Sequence, residues 1–136
     1  MMHVAQMRMT HPEAPRDAAE ALQRCIEHCY ACAQACSACA DACLAEPAVF
    51  ALRNCIRLNL DCADLCATIG RIATRGTGSN EALMAELLNS CALICRMCAD
   101  ECQRHAGRYE HCRICAAACR ACAESCGEAI DALRGD

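Results

Sequence analysis

Small apolar residues and cysteines recur at alternating intervals of three and four positions along most of this 136-residue chain. That spacing places one continuous stripe on each helix and is typical of helices that pack through their a and d positions. Interruptions of the pattern predict four helices, at about residues 18–45, about 47–73, from about 80 to His105, and about 109–133. No segment alternates with the period of two that a half-buried strand requires.

Recognisable start and stop signals separate the helices. Asp17 and Glu20 have the spacing of a capping box at the start of the first helix. Pro47 stops that helix and can serve as the first residue of the second, where its missing N–H is not needed. The loop TRGTGSN, residues 74–80, precedes the third helix, and Gly107 is expected to end it in a left-handed conformation.

The lengths of the helices and of their connections indicate the fold. Three connections, two of them very short, join four helices of similar length, which favours antiparallel neighbours. We therefore predict an all-α protein, an antiparallel up-down-up-down four-helix bundle formed by residues 17–136. For the tail at residues 1–16, the sequence leaves open a short helix or disorder.

Composition shows what the stripe contains. The chain has 18 cysteines but only three aromatic residues, so the usual bulky core formers are missing. All of the cysteines fall at a and d positions, and Asn59 takes the place of one in the second helix. We therefore predict a cysteine-lined core made by Cys25, Cys29, Cys32, Cys36, Cys39, Cys43, Cys55, Cys62, Cys66, Cys91, Cys95, Cys98, Cys102, Cys112, Cys115, Cys119, Cys122 and Cys126.

Neither packing nor disulfide bonding explains this core well. Selection for packing alone would mix in larger side chains, as the sequence does at Leu22, Leu88 and Ile130 beyond the ends of the stripe. Residues four apart on a helix have Cβ atoms about 5–6 Å apart, whereas a disulfide needs about 3.5–4.5 Å. The N-terminus also lacks an export signal, which predicts a cytoplasmic protein whose thiols stay reduced.

Charge and patterning exclude several classes of function. The net charge is −4, with no basic run or aromatic platform, so nucleic acid is not an expected partner. No stretch approaches about 20 uninterrupted apolar residues, so no membrane association is expected. No nucleophile, base and orienting acid occur as a set, and we therefore do not predict an enzyme.

Metal ligation remains the best account of the thiols. Thiolates without histidine partners select copper(I), zinc or iron–sulfur clusters, and the loop spacings of iron–sulfur sites are absent. If each zinc ion bound four sulfurs, the zinc ions would supply a charge of only about +9, whereas the thiolates carry about −18. If each sulfur bridges two copper(I) ions, the core can hold about 18 of them, and their charge then neutralises that of the thiolates. The alternatives are a zinc-buffering thiolate protein and a cysteine-based redox reservoir.

The C-x-x-x-C spacing predicts individual binding positions, since each pair places two sulfurs on one helix face and could hold one ion between them. The pairs are Cys25 with Cys29, Cys32 with Cys36, Cys39 with Cys43, Cys62 with Cys66, Cys91 with Cys95, Cys98 with Cys102, Cys115 with Cys119, and Cys122 with Cys126. Over about residues 18–133 the chain resembles the bacterial copper storage proteins, in particular their cytosolic branch. The resemblance implies many copper(I) ions along a four-helix core and a homotetramer.

One end of the antiparallel bundle is predicted to collect both thiols and imidazoles. His105 lies three residues after Cys102 and continues its stripe, while His111 adjoins Cys112 near the rim. The family resemblance implies histidines at an opening where copper enters. We therefore add His105 and His111 to the predicted metal ligands, and expect copper to arrive from a chaperone or a low-molecular-weight thiol.

Overall fold

The computed structural model describes residues 2–13 and 19–135, and all the regular structure in these ranges is helical. The α-helices are α1 (Met2–Met9), α2 (Ala19–Leu44), α3 (Arg53–Thr74), α4 (Glu81–His105) and α5 (Glu110–Leu133), with a 3-10 helix at Val49–Leu52. The all-α prediction is confirmed. Asp17 lies outside the described residues, so the capping box at the start of α2 stays a prediction.

The four long helices form a closed ring. α2 packs against α3 and α5, and α4 packs against the same two helices, so each helix lies beside its neighbours in sequence and α2 closes on α5. This is the arrangement that short connections between antiparallel helices produce. The predicted four-helix bundle is therefore confirmed.

α1 lies against the end of the bundle where α2 begins and α3 ends. Val4 packs on the core cluster, and the Arg8 guanidinium donates a hydrogen bond to Gln23 Oε1 at 2.8 Å. Just beyond α1, the ring of His11 lies 3.1 Å from Thr77 Oγ1 in the loop before α4. Within the N-terminal tail, the described residues thus contain a short helix at Met2–Met9.

The connection between α2 and α3 differs from the prediction. Pro47 does not open the second helix, because the chain first turns through i→i+3 hydrogen bonds, with Val49 N donating to Glu46 O at 3.1 Å. The 3-10 helix that follows buries Leu52 completely, and α3 begins only at Arg53. The tight turn lets a short connection reverse the chain while covering the end of the core.

The prediction for Gly107 is also wrong. Among the described residues, positive φ values occur only at Gly78 and Gly135. α4 instead ends in right-handed turns, in which Ala106 N donates to Gln103 O at 3.2 Å and Tyr109 N donates to His105 O at 3.0 Å. These bonds use the last carbonyls of α4, so no left-handed residue is needed.

α4 is long and apolar enough to cross a membrane by length and composition alone. Much of that apolar character belongs to one face, where Met84, Leu88 and four cysteines are buried inside the bundle. A core helix of a bundle has the same composition, so this property does not distinguish the two environments.

Candidate metal centre

The cysteines of all four long helices meet along the axis of the bundle. All 18 are free thiols, and each is at most 2% exposed. Each stripe has the heptad spacing that turns a and d positions toward the partner helices, which is why the cysteines share one interior. The predicted cysteine-lined core is confirmed, and we call it the thiol column.

The sulfurs of the thiol column are spaced as ligands rather than as bonded pairs. The close Sγ–Sγ contacts include 3.5 Å between Cys36 and Cys119 and 4.0 Å between Cys36 and Cys98. A disulfide has an S–S length of about 2.05 Å. A metal ion with metal–sulfur bonds of about 2.3 Å, as zinc has, needs sulfurs about 3.8 Å apart in a tetrahedron.

The sulfurs form overlapping groups of four. In each group the ligand atoms lie within 4.8 Å of one another, and neighbouring groups share Cys122, Cys32, or both Cys36 and Cys119. Shared thiolates bridge metal ions, so the arrangement suits a continuous series of ions better than isolated sites. The groups are Cys29, Cys91, Cys122 and Cys126; Cys32, Cys66, Cys95 and Cys122; Cys32, Cys36, Cys62 and Cys119; and Cys36, Cys98, Cys115 and Cys119.

Most of the short sulfur–sulfur distances join different helices. Examples are 3.6 Å between Cys25 and Cys126 and 3.6 Å between Cys55 and Cys102. Within one helix, the close pairs are Cys32–Cys36 at 3.8 Å, Cys62–Cys66 at 3.9 Å and Cys98–Cys102 at 4.0 Å. The C-x-x-x-C scheme therefore describes only part of the geometry, because helix packing brings other sulfurs equally close.

Asn59 interrupts the thiol column with a buried amide. Its Oδ1 accepts hydrogen bonds from Cys98 at 3.0 Å, Cys115 at 3.3 Å and Cys102 at 3.4 Å, and its Nδ2 faces Cys55 Sγ at 3.8 Å. The side chain is completely buried, and its polar atoms have partners. Asn59 is thus well placed to act as a hydrogen-bonding spacer between thiols.

His111 joins the column at the end where α2 stops and α5 begins. Its Nδ1 lies 3.4 Å from Cys39 Sγ and 3.7 Å from Cys112 Sγ. Together with Cys43, these residues bring four ligand atoms within 4.8 Å of one another. We call Cys39, Cys43, His111 and Cys112 the mouth cluster.

Two neighbours hold the imidazole of the mouth cluster. Glu46 Oε2 lies 2.9 Å from His111 Nε2, and the ring of Tyr109 stacks on that of His111 with centroids 5.6 Å apart. Sequence reasoning missed Glu46, because a contact between residues 65 apart leaves no local signal. The imidazole edge that faces the sulfurs is Nδ1, the position of a ligand atom.

The acid–base properties of the mouth cluster follow from these contacts. Burial opposes the charged imidazolium, but hydrogen bonds with Cys39 and Glu46 outweigh it and raise the pKa of His111. Hydrogen bonds with Cys102, and also with Cys55 and His111, lower the pKa of Cys39 to about 6. Without a metal, the contact between Cys39 and His111 therefore favours the thiolate form of Cys39 and the charged form of the imidazole.

The other two thiols of the mouth cluster have the opposite character. Burial raises the pKa of both Cys43 and Cys112, and the nearby charge of Cys39 adds to the shift. These thiols stay protonated at neutral pH, so a metal ion must displace their protons to bind.

His105 has a different partner. Its Nε2 lies 3.0 Å from Glu101 Oε2, and Glu101 also accepts hydrogen bonds from Asn54 at 3.2 Å and Arg104 at 3.4 Å. Burial alone would raise the pKa of Glu101, but the bonds from His105 and Asn54 and the charge of Arg104 lower it. The structure thus places His111 against the sulfurs and His105 against a carboxylate, and the assignment of both as ligands stays a prediction.

Comparison with known proteins gives a consistent result. A family described as copper storage protein matches residues 18–131. The copper storage protein Ccsp of Streptomyces lividans, in a structure loaded with 10 copper equivalents, is 48% identical with a TM-score of 0.91. The match covers 93% of this chain and 97% of that one.

Two further structures are similar over most of the chain. One is a cytosolic copper storage protein from Streptomyces lividans with five coppers, 52% identical with a TM-score of 0.80, covering 82% of this chain and 92% of that one. The other is the Cu(I)-bound copper storage protein 3 of Bacillus subtilis, 39% identical with a TM-score of 0.69, covering 79% of this chain and 95% of that one.

Proposed function

This chain belongs to the copper storage protein family, and on that basis we propose that it stores copper(I) in the thiol column, with a capacity of about 18 ions set by one bridging thiolate per ion. The observation that carries the proposal is the series of four overlapping four-sulfur groups, whose cysteines are all buried and free. Storage requires no catalytic group, and the proposed role is sequestration rather than catalysis.

Charge decides in favour of copper(I) over zinc in the column. Eighteen thiolates carry about −18, and uncompensated charge in a buried interior is strongly unfavourable. About 18 singly charged ions neutralise that charge, whereas four or five zinc ions leave about half of it unbalanced. Sulfurs shared between neighbouring groups supply the bridging that a ratio of one ion per thiolate requires.

We propose that copper enters at the mouth cluster. His111 is the part of the cluster nearest to solvent, since its side chain is 25% exposed whereas the cysteines are buried. An incoming ion would bind His111 with Cys39, the thiolate of the cluster, and then pass to other thiols by ligand exchange. His105, which lies at the same end, is proposed as a second imidazole that receives copper once it leaves Glu101.

We propose that the protein works in the cytosol, as the Streptomyces relative described as cytosolic does. Thiols of this density stay reduced there, which keeps them available as ligands. A copper chaperone or a low-molecular-weight thiol is the proposed donor, since thiols are the ligands that copper(I) prefers.

We propose a homotetramer, and an exposed apolar surface supports it. Leu93 and Met97 on α4 are 53% and 46% exposed, and they line a shallow groove with Leu65 and Ile94 between α3 and α4. Contact between copies would remove this surface from water. Light scattering after size-exclusion chromatography tests the assembly, and a monomer at micromolar concentration would contradict it.

Anaerobic titration of the reduced protein with copper(I), against a chromophoric copper(I) chelator, tests storage. We expect withdrawal of copper from the chelator until about 18 ions are bound per chain. Saturation at four or five metal ions would favour the zinc-buffering alternative, and failure to hold any metal tightly would favour the redox reservoir.

A further inference from the structure

The mouth cluster differs chemically from the rest of the thiol column. It combines three sulfurs with one imidazole nitrogen, whereas the four groups described above contain only sulfur. It also shares no residue with those four groups, so an ion bound there need not compete with them for ligands. Three cysteines and one histidine are a standard ligand set for four-coordinate zinc.

The distances in the mouth cluster suit a tetrahedral ion. With zinc–sulfur bonds of about 2.3 Å and zinc–nitrogen bonds of about 2.0–2.1 Å, a tetrahedron has S–S edges of about 3.8 Å and S–N edges of about 3.5 Å. Cys39 and Cys112 have sulfurs 3.9 Å apart, and their distances to His111 Nδ1 are 3.4 and 3.7 Å. These three ligand atoms are already at the required separations, and Cys43 supplies the fourth.

Glu46 provides the support that zinc-bound histidines usually have. Its carboxylate, 2.9 Å from His111 Nε2, accepts a hydrogen bond from the N–H at that nitrogen, and Nδ1 then faces the sulfurs. A carboxylate in this position fixes the tautomer and orientation of a ligand imidazole. Glu46 is 27% exposed in its side chain, so it lies at the rim rather than among the thiols.

We propose that Cys39, Cys43, Cys112 and His111 form a site for one zinc(II) ion, with Glu46 positioning the imidazole, and that zinc bound there slows the passage of copper(I) into the thiol column. Binding involves no redox change. Zinc keeps its charge, and the protons that remain on the three thiols and on Nδ1 leave to solvent. The second half of the proposal rests on the proposed storage function, because it requires copper to pass the mouth cluster.

Zinc titration of the reduced, copper-free, full-length protein against a chromophoric zinc chelator tests the site. We expect the first equivalent to bind at least about tenfold more tightly than the next. His111→Ala should abolish this preference, and Glu46→Gln should weaken the first equivalent by about 10- to 100-fold. His28→Ala, which removes a histidine on α2 outside the cluster, is the matched control and should leave the first equivalent unchanged.

Equal affinity for the first zinc in the wild type and in His111→Ala would overturn the site, because it would place zinc among the all-sulfur groups. Equal weakening by His28→Ala would overturn the assignment to the mouth cluster as well. Glu46→Gln changes few atoms at the rim, so it keeps the test informative if His111→Ala alters the local fold.

The rate of copper transfer tests the effect on access. Copper(I) supplied as a chelate should enter the wild type carrying one zinc at least about tenfold more slowly than the zinc-free wild type, because zinc occupies all four ligands of the mouth cluster. In His111→Ala the same zinc addition should leave the rate unchanged. Equal rates for the two forms of the wild type would overturn the gating role. A failure of storage itself would appear separately, as low copper capacity in the zinc-free protein.

Discussion

Asn59 Oδ1 lies 3.0 Å from Cys98 Sγ and accepts a hydrogen bond from that thiol. The same oxygen accepts hydrogen bonds from Cys102 and Cys115, so one amide satisfies thiols of both α4 and α5. This relationship belongs to the metal-free state, because copper binding removes the thiol hydrogens. Asn59 therefore stabilises the empty store more than the filled one.

Replacing Asn59 tests this role. Asn59→Ala should lower the free energy of unfolding of the reduced, metal-free protein by about 1–3 kcal/mol, because it leaves a cavity and removes the acceptor of three thiols. Urea denaturation under reducing conditions measures the change, with Ser37→Ala on the exposed face of α2 as control. Copper capacity should stay within about one ion of the wild type, since no thiolate is lost. A loss of several ions would identify Asn59 as a ligand instead.

Cysteines in the middle of the column should contribute more to capacity than those at its end. Cys36→Ala should remove about two copper ions, because its sulfur is shared between two groups, whereas Cys25→Ala should remove about one. Copper(I) titration of both variants measures the difference. The neighbours of Cys36 within 4.0 Å are Cys32, Cys98, Cys115 and Cys119, and the described short contact of Cys25 is with Cys126. Equal losses would contradict bridging by shared sulfurs.

Copper loading should release protons. Burial raises the pKa of Cys43 and Cys112, so these thiols are protonated at neutral pH. Each of them must lose its proton when it binds copper as a thiolate. A pH-stat should record nearly one proton per cysteine at saturation, somewhat fewer where a thiolate such as Cys39 exists beforehand. The apparent copper affinity should fall as the pH falls. An affinity independent of pH between about 6 and 8 would contradict thiolate ligation.

Glu101 should contribute to the acid stability of the metal-free protein. Its pKa is lowered in the folded state, so its contribution is present above the unfolded pKa of about 4.5 and is lost as the pH falls through the folded pKa. Glu101→Gln should therefore lower stability near neutral pH and flatten its decline below about pH 4.5. Thermal unfolding across that range measures the effect, with the exposed Glu86→Gln as control. Parallel curves for the wild type and Glu101→Gln would contradict it.

The heptad spacing of cysteines predicted the helices, the bundle and the thiol column, because each depends on periodicity that a sequence displays directly. The details that it did not predict depend on packing between distant segments. His105 follows the stripe of Cys102 in sequence, yet its ring turns to Glu101, one helical turn away. His111 contacts Cys39, which lies 72 positions away in sequence. Glu46 is identified only by its hydrogen bond with His111 in the folded structure.

Anomalous diffraction at the copper absorption edge, from crystals of the anaerobically loaded protein, tests the central claim most directly. We predict a series of copper peaks along the bundle axis, from the level of Cys25 and Cys126 to the mouth cluster, with sulfurs of more than one helix around most peaks. Copper confined to one or two positions, or bound mainly on the surface of the bundle, would contradict storage in the thiol column.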